Sequence, residues 1–150
     1  MQPVDFDNEL TFYTHQQNGT EEEFHSAYED AVISVKNELG SYYPLRIDGE
    51  EVETDDRFVV ESPGNVDLTI GEFAAGGMVE VNNAVNAAKN ALPAWEDRDS
   101  SSRTKFFTIA ADLLRERKYE FAATLSLENG KNRTEAMADI DEAIDFLEFY

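Results

Sequence analysis

The stretch PLRIDGEEVETDDRFVVESPGN at residues 44–65 predicts strands in a chain whose other patterns are helical. Residues 45–47 and 50–52 flank the pair Asp48-Gly49. Asp-Gly favours a type I′ turn, because both central residues of that turn need positive φ. The stretch therefore predicts a tight β-hairpin with its turn at Asp48 and Gly49.

A second antiparallel pair is expected directly after the first. Residues 58–60 and 68–70 are rich in β-branched and aromatic side chains, and residues 62–65 (Ser-Pro-Gly-Asn) are typical of a connecting loop. Leu68 and Ile70 alternate with polar neighbours, which indicates that only one face of this pair is buried.

On the N-terminal side of the strands, one amphipathic helix is expected. Thr20 and Glu23 have the spacing of a capping box, and Gly40 suits a helix C-terminus. Apolar residues recur at spacings of four and three: Phe24, Tyr28, Ala31, Val35 and Leu39. Residues 1–19 show no such period and are predicted to be irregular.

On the C-terminal side, every pattern from Met78 onward is helical. The first of these helices carries the stripe Val81, Val85, Ala88 and Leu92, with Trp95 expected to pack over its end. The predicted boundaries are a stop near Pro93, N-caps at residues 100–102, a terminal glycine at Gly130 and a capping box from Asn132 to Glu135.

The composition is strongly acidic. Among 150 residues, 32 are Asp or Glu and 12 are Lys or Arg, which leaves a net charge of −20. This argues against partners such as nucleic acid or an anionic membrane, since both need clustered cations. Repulsion on this scale favours a salt-rich cytosol, where 1 M salt screens charges within about 3 Å. An ordinary acidic protein is the second interpretation.

Several classes of site are excluded by the residues. The chain has no cysteine, hence no disulfide and no thiolate nucleophile. The N-terminus lacks the basic start and apolar run of a signal peptide, and no stretch approaches the roughly 18 apolar residues of a membrane span. We therefore expect a cytoplasmic protein.

No catalytic or metal motif stands out. Gly130-Lys131 lacks both the glycine five positions earlier and the following Ser or Thr of a phosphate loop, so a helix C-cap with an exposed lysine is predicted instead. His15 and His25 are the two histidines, and His25 is expected to be solvated. Acidic runs such as residues 21–23 are typical of solvated surface.

The last helix contains one carboxylate that does not fit its pattern. At 100° per residue, the predicted core stripe is Ala136, Ile140, Ala143, Ile144 and Leu147, and the predicted wet face is Asp141, Asp145 and Glu148. Glu142 belongs to neither group, because it projects between Phe146 and Phe149. On the pattern alone, the simpler interpretation is a surface glutamate beside two phenylalanines that cover a neighbouring helix.

The order and spacing of several short motifs resemble the N-terminal part of an aldehyde dehydrogenase. The matching features are Ile47 and Gly49, Ser62-Pro63-Gly64, Ala84-Val85 with Ala87-Ala88, Trp95, Arg103, and Glu128 with Gly130-Lys131. Asp7-Asn8-Glu9, LGSYYPLRIDGE at residues 39–50 and ADIDEAIDFLEFY at residues 138–150 resemble the branch that oxidises L-glutamate γ-semialdehyde to glutamate in proline catabolism. Leu10 departs from the proline that many members have.

The resemblance implies an α/β parent enzyme of aldehyde dehydrogenase type, with a Rossmann-like cofactor domain, NAD as cofactor and a homo-oligomeric state. It implies a cysteine nucleophile, an oxyanion-binding asparagine, a general-base glutamate and nucleotide-binding residues, all beyond residue 150. This chain is then a fragment, with an arm and helix at residues 1–40 and the start of the cofactor-domain region at residues 41–150. Its partners are the rest of the enzyme and a small aldehyde substrate.

The resemblance also implies a role for Glu142. In the glutamate-semialdehyde branch, a glutamate at this place lies beside the aldehyde tunnel, near the α-amino end of the substrate. Glu142 is thus the predicted substrate-binding residue, and the chain itself holds no catalytic residue. Two alternatives stay open: a non-catalytic acidic helical module that binds a partner, and a segment of another aldehyde dehydrogenase, such as a succinate-semialdehyde type.

Overall fold

The computed structural model describes residues 8, 9 and 11–149. These residues are mainly helical, with short strands between the second and third helices, which confirms the predicted class. The helices are α1 (Phe12–Asn18), α2 (Glu21–Lys36), α3 (Met78–Glu96), α4 (Ser100–Glu116), α5 (Lys118–Asn129) and α6 (Arg133–Phe149). The strands are β1 (Tyr42–Tyr43), β2 (Leu45–Ile47), β3 (Glu50–Val52), β4 (Arg57–Ser62) and β5 (Asn65–Ala74).

The chain forms two compact units. The first combines the residues up to Asn37 with those from Thr104 onward, and the second is Glu38–Arg103. The predicted division at residues 1–40 and 41–150 concerns the domains of a parent enzyme and stays a prediction.

The first predicted hairpin is confirmed in register and turn type. β2 and β3 are antiparallel, with Leu45 opposite Val52. Asp48 has φ 54° and Gly49 has φ 83°, so both residues adopt the left-handed conformation that a type I′ turn requires.

The second hairpin is also confirmed, but it is longer than predicted. β4 pairs with β5 from Arg57–Ala74 down to Ser62–Asn65, which leaves Pro63 and Gly64 as a two-residue turn. The sheet that contains β4 and β5 has a third strand, the two-residue β1, which pairs in parallel with β5. No strand was predicted at β1, because a strand of two residues has no period of its own.

α3 departs from its prediction at two points. The helix continues through Pro93 to Glu96, because a proline in the last turn removes only one hydrogen bond of the helix. No residue of α3 is buried, and Val85 and Leu92 of the predicted core stripe are about half exposed. The stripe is therefore apolar without being covered by the described residues.

The start of the first unit was predicted wrongly. Phe12–Asn18 form a helix where irregular chain was expected, and the Phe12 ring packs against Phe24 with 4.8 Å between ring centroids.

The predicted capping box at Thr20 is not formed. The Thr20 hydroxyl lies 3.0 Å from His15 Nδ1 instead, so a contact with α1 replaces the cap. His25 is exposed, as predicted.

The first unit has a core in which α5 packs against α2 and α6. Small side chains let the helices approach closely, and the buried apolar residues are Phe24, Tyr28, Val35, Ala111, Ala122, Ala123, Ala136, Met137 and Ile144. The Tyr28 hydroxyl donates to the Ala122 carbonyl at 2.8 Å and lies 2.7 Å from Ser126 Oγ. Burial raises the pKa of Tyr28, which keeps the hydroxyl protonated as a donor.

The ends at Gly130 and Asn132 follow the predicted chemistry, whereas α2 ends at Lys36 rather than at Gly40. Gly130 ends α5 in the left-handed conformation, and Asn132 Oδ1 accepts from the Glu135 amide at 3.0 Å. The cap of α4 is Asp99 rather than a serine. Its carboxylate accepts from Ser101 Oγ and from the Ser102 amide and hydroxyl, and these hydrogen bonds hold the pKa of Asp99 below its usual range. Across residues 8, 9 and 11–149, no helix is both long and apolar enough to cross a bilayer.

Candidate functional site

The last helix, α6, presents its apolar residues to the core as predicted. Ala136 and Ile144 are fully buried, and Met137 joins them at 1% exposure. The other three predicted core residues, Ile140, Ala143 and Leu147, are partly buried. The buried side of α6 therefore overlaps the predicted stripe but is turned toward Met137 and Asp141.

One residue of the predicted wet face of α6, Asp141, is buried, whereas Asp145 is partly exposed and Glu148 is exposed, as predicted. Asp141 is 2% exposed, and its Oδ1 lies 3.2 Å from Lys118 Nζ at the start of α5. The other carboxylate oxygen, Oδ2, has no hydrogen-bond partner among the described residues. The prediction that Asp141 faces water was wrong, because a cation from another helix compensates part of the cost of burying the carboxylate.

The other two carboxylates of this face are also engaged. Asp145 Oδ1 accepts from the Glu9 amide at 2.8 Å. Arg115 donates to Glu148 Oε1 at 2.6 Å and, through Nε, to Glu9 Oε2 at 2.8 Å. We call this group the ion cluster; its members are Glu9, Arg115, Lys118, Asp141, Asp145 and Glu148.

The cluster shifts the ionisation of its members in opposite directions. Burial acts to raise the pKa of Glu9, but the hydrogen bond from Arg115 and the charge of Lys118 outweigh it, so the pKa lies below its ordinary value. Burial raises the pKa of Asp141, and Lys118 offsets only part of that effect. The surroundings thus favour the charged form of Glu9 and disfavour that of Asp141.

Glu142 directly follows Asp141 of the ion cluster in the sequence, but it does not share the contacts of the cluster. Its side chain is exposed, and it makes no hydrogen bond or ion pair with any residue in the described part of the chain. Phe146 and Phe149, four and seven positions further along the same side of the helix, are 53% and 64% exposed. Of the five acidic side chains from Asp139 onward, the other four have partners, and Asp139 pairs with Lys131.

The other candidates from the sequence are structural. Gly130 is a helix C-cap, as predicted, and Lys131 is engaged with Asp139. His15 contacts Thr20 and Phe24, and His25 contacts Phe12 and Phe24. Over the residues that the structure describes, no three His, Asp or Glu side chains are grouped to hold a metal ion.

Sequence reasoning did not find the ion cluster. Arg115 and Lys118 lie near helix ends, where a cation suits the negative end of a helix dipole and needs no further partner. Their closeness in the sequence was the available signal, although they lie in different helices, α4 and α5. Glu9 lies 106 residues from Arg115 along the sequence, so no local pattern relates the two.

Comparison with known proteins places these features in a family. Residues 51–150 match the profile of the aldehyde dehydrogenase family. The chain is 41% identical over 143 residues to 1-pyrroline-5-carboxylate dehydrogenase 2 of Halalkalibacterium halodurans, which covers 94% of this chain and 28% of that protein. It is 38% identical over 131 residues to the 1-pyrroline-5-carboxylate dehydrogenase of Bacillus subtilis, covering 87% of this chain and 25% of that protein.

A solved structure agrees with the sequence matches. The crystal structure of 1-pyrroline-5-carboxylate dehydrogenase from Thermus with bound NAD has a TM-score of 0.88 and 40% identity, covering 100% of this chain and 28% of that one. The chain therefore spans about a quarter of the length of these relatives (28% and 25% for the two sequence matches). With the family profile matching two thirds of its residues, the chain belongs to the aldehyde dehydrogenase family.

Proposed function

We propose that this chain is the N-terminal part of an NAD-dependent dehydrogenase that oxidises L-glutamate γ-semialdehyde, the open form of 1-pyrroline-5-carboxylate, to glutamate in proline catabolism. The names of the relatives and the NAD-bound structure from Thermus support the reaction class. The observation in this chain that carries the proposal is Glu142, an exposed carboxylate without a partner among the described residues.

The chain contributes to the substrate side of this reaction rather than to the cofactor side. NAD would supply the hydride acceptor. The described residues offer no glycine-rich phosphate turn for it, because Gly130 and Lys131 serve as a helix cap and an ion-pair partner. Because the sequence has no cysteine, the thiolate nucleophile of this chemistry also belongs to the remainder of the enzyme.

Glu142 has the chemistry to bind the α-ammonium group of glutamate semialdehyde. A carboxylate and an ammonium form a charge-assisted hydrogen bond worth about 1.5–3 kcal/mol. Phe146 and Phe149 lie on the same side of α6 and provide apolar surface beside the carboxylate, which strengthens such a bond by excluding water. Glu142 transfers no proton in this role; it positions the substrate.

The remainder of the enzyme is the proposed partner of α3. The helix has no buried residue, and Val81, Val85 and Leu92 are each about half exposed along one stripe. An apolar stripe of this kind is typical of a helix that packs against another element. We propose that the later part of the enzyme chain covers it.

The test is the substitution Glu142→Gln in the complete enzyme that carries this chain. We expect kcat/KM for glutamate semialdehyde to fall on the order of 10–100-fold, which matches the energy of the lost bond. An aliphatic aldehyde such as propanal has no ammonium group, and its kcat/KM should change less than about twofold. Steady-state NADH production with both aldehydes measures the two values.

Glu135→Gln is the matched control, since Glu135 is exposed on the same helix and the change removes the same charge. Asp141 and Asp145 are unsuitable controls because they belong to the ion cluster. Equal losses for both aldehydes, or no loss for either, would show that Glu142 is a surface residue and would favour another aldehyde dehydrogenase, such as a succinate-semialdehyde type.

A further inference from the structure

Glu9 connects three helices that lie far from it in the sequence. Its Oε2 accepts from Arg115 of α4 at 2.8 Å, and its Oε1 lies 3.4 Å from Lys118 Nζ of α5. Its backbone amide donates to Asp145 of α6 at 2.8 Å, across 136 residues. One residue that precedes α1 thus contacts the last three helices of the chain.

The Glu9–Lys118 contact is largely shielded from solvent; Arg115 and Glu148, by contrast, are 35% and 31% exposed. The Glu9 and Lys118 side chains are 10% and 14% exposed, whereas both members of the surface pair Arg46–Glu51 are more than half exposed. Salt and water weaken a surface pair, but they screen a shielded pair much less. The Glu9 contacts are therefore of the kind that can hold a helix in one position.

The ion cluster acts on α6 along the face next to Glu142. Asp141, Asp145 and Glu148 are spaced by four and three residues, so they line one face over about two turns. Glu142 follows Asp141 directly and projects about 100° around the helix. A rotation of α6 by 20° would move a side-chain tip on the order of 2 Å, given a helix radius of about 5–6 Å with side chains.

Each link from Glu9 to this face is direct. Lys118 lies between Glu9 and Asp141, Arg115 lies between Glu9 and Glu148, and the Glu9 amide holds Asp145. Among the described residues, Lys118 is the cation that pairs with the Asp141 carboxylate. The position of the Lys118 ammonium group therefore restrains Asp141, which directly precedes Glu142. Displacement of a substrate-positioning group by 1 Å can reduce a rate by about 100-fold.

We propose that Glu9 is a positioning residue for Glu142, and that through the ion cluster it sets the selectivity of the enzyme for an aldehyde that carries an α-ammonium group. This inference rests on the proposed function of Glu142. Glu9 does not touch the substrate; it holds α6 so that the Glu142 carboxylate meets the ammonium group.

The experiment compares Glu9→Gln, Glu142→Gln and the double variant in the complete enzyme, with glutamate semialdehyde and propanal as substrates. Glu9→Gln should lower kcat/KM for glutamate semialdehyde by about tenfold, mainly through a higher KM, and that for propanal by less than about twofold. The double variant should match Glu142→Gln within about twofold, because Glu9 acts through Glu142. The control Glu22→Gln removes an exposed carboxylate of α2 and should leave both substrates unchanged.

A second variant and a second measurement cover the case in which Glu9→Gln folds poorly. Asp145→Ala removes the acceptor of the Glu9 amide without leaving a cation of the cluster unpaired, and it should show the same selective loss. Hydrogen exchange of the α6 amides should be faster in Glu9→Gln than in Glu22→Gln, since the cluster that restrains the helix is lost.

The outcomes separate the two proposals. If Glu142→Gln is itself unselective, the proposed function fails and this inference fails with it. If Glu142→Gln is selective, three results would overturn the positioning role alone. These are an equal fall of kcat/KM for both substrates in Glu9→Gln, a further fall of kcat/KM in the double variant beyond that of Glu142→Gln, and unchanged hydrogen exchange of α6 in Glu9→Gln.

Discussion

The two compact units are stabilised in different ways. The first unit buries large side chains between its helices. Four of them are at 1% exposure or less: Phe24, Tyr28, Met137 and Ile144. In the second, the buried apolar side chains among the described residues are Ile70 and Ala74, and its strands are held mainly by backbone hydrogen bonds and turns. The ion pairs differ in the same sense, because the Glu9–Lys118 pair is shielded and the Arg46–Glu51 pair is exposed.

This difference shows that net charge and composition say little about where stability resides. Both units are acidic and both contain amphipathic helices, yet most of the buried apolar side chains among the described residues belong to the first. A substitution of one residue type should therefore have a large effect in the first unit and a small one in the second. Matched pairs of variants can test this directly.

The largest expected difference is between two methionines. Met137 is 1% exposed and Met78 is 76% exposed. Met137→Ala leaves a cavity in the core and should lower the free energy of unfolding by about 2–4 kcal/mol, whereas Met78→Ala should change it by less than about 0.5 kcal/mol. Urea denaturation followed by circular dichroism, at one fixed KCl concentration, gives both values. Similar losses for the two variants would mean that the units do not differ in packing.

Two glutamates sharpen the comparison for ion pairs. Glu9→Gln should lower the free energy of unfolding by about 2 kcal/mol, because it removes a largely shielded charge that Arg115 and Lys118 share. Glu51→Gln removes the same charge from an exposed pair and should cost less than about 0.5 kcal/mol. The same denaturation assay applies, and a cost at Glu51 equal to that at Glu9 would contradict the assignment of the ion cluster to a shielded environment.

The pH dependence gives an independent check on the Glu9 variant. The pKa of Glu9 in the folded chain lies below its ordinary value of 4.5, so the unfolded chain takes up the proton first as the pH falls. The stability that Glu9 contributes is therefore complete above about pH 4.5 and declines as the pH falls through the folded pKa. The difference between wild type and Glu9→Gln should be constant from pH 6 to 8 and shrink under about pH 4.5. A difference that grows on acidification would reverse this sign and refute it.

The smallest expected difference is between two tyrosine hydroxyls. Tyr28 donates to a buried carbonyl, and Tyr42 donates to the exposed Glu53 carboxylate at 2.6 Å. Tyr28→Phe should cost about 1 kcal/mol, because the Ala122 carbonyl loses a donor away from solvent. Tyr42→Phe should lower the free energy of unfolding by only roughly a few tenths of a kcal/mol, since water replaces the lost hydrogen bond. Thermal unfolding of both variants tests the order, and a larger cost for Tyr42→Phe would break the comparison.

The sequence alone determined the features that depend on a few adjacent residues. Asp48-Gly49 specified the turn and register of the first hairpin, because few residue pairs accept two consecutive positive φ angles. Gly130 marked the end of α5 for a similar reason, and the hydrophobic period of α6 predicted the burial of Ala136 and Ile144. The period also set Glu142 apart from both faces of α6, although its role in substrate binding stays a proposal.

Only the tertiary structure decided the state of the acidic residues and of the apolar stripes. A helical period assigns a carboxylate to solvent by default, but Asp141 is buried beside a lysine 23 residues earlier in the sequence, whose charge offsets part of the cost. The Val81–Leu92 stripe has the pattern of a core, but burial requires a neighbouring element to cover it, which the described residues do not provide. Local patterns record what a residue prefers, whereas the charges and surfaces that distant parts of the chain bring to it determine where it lies.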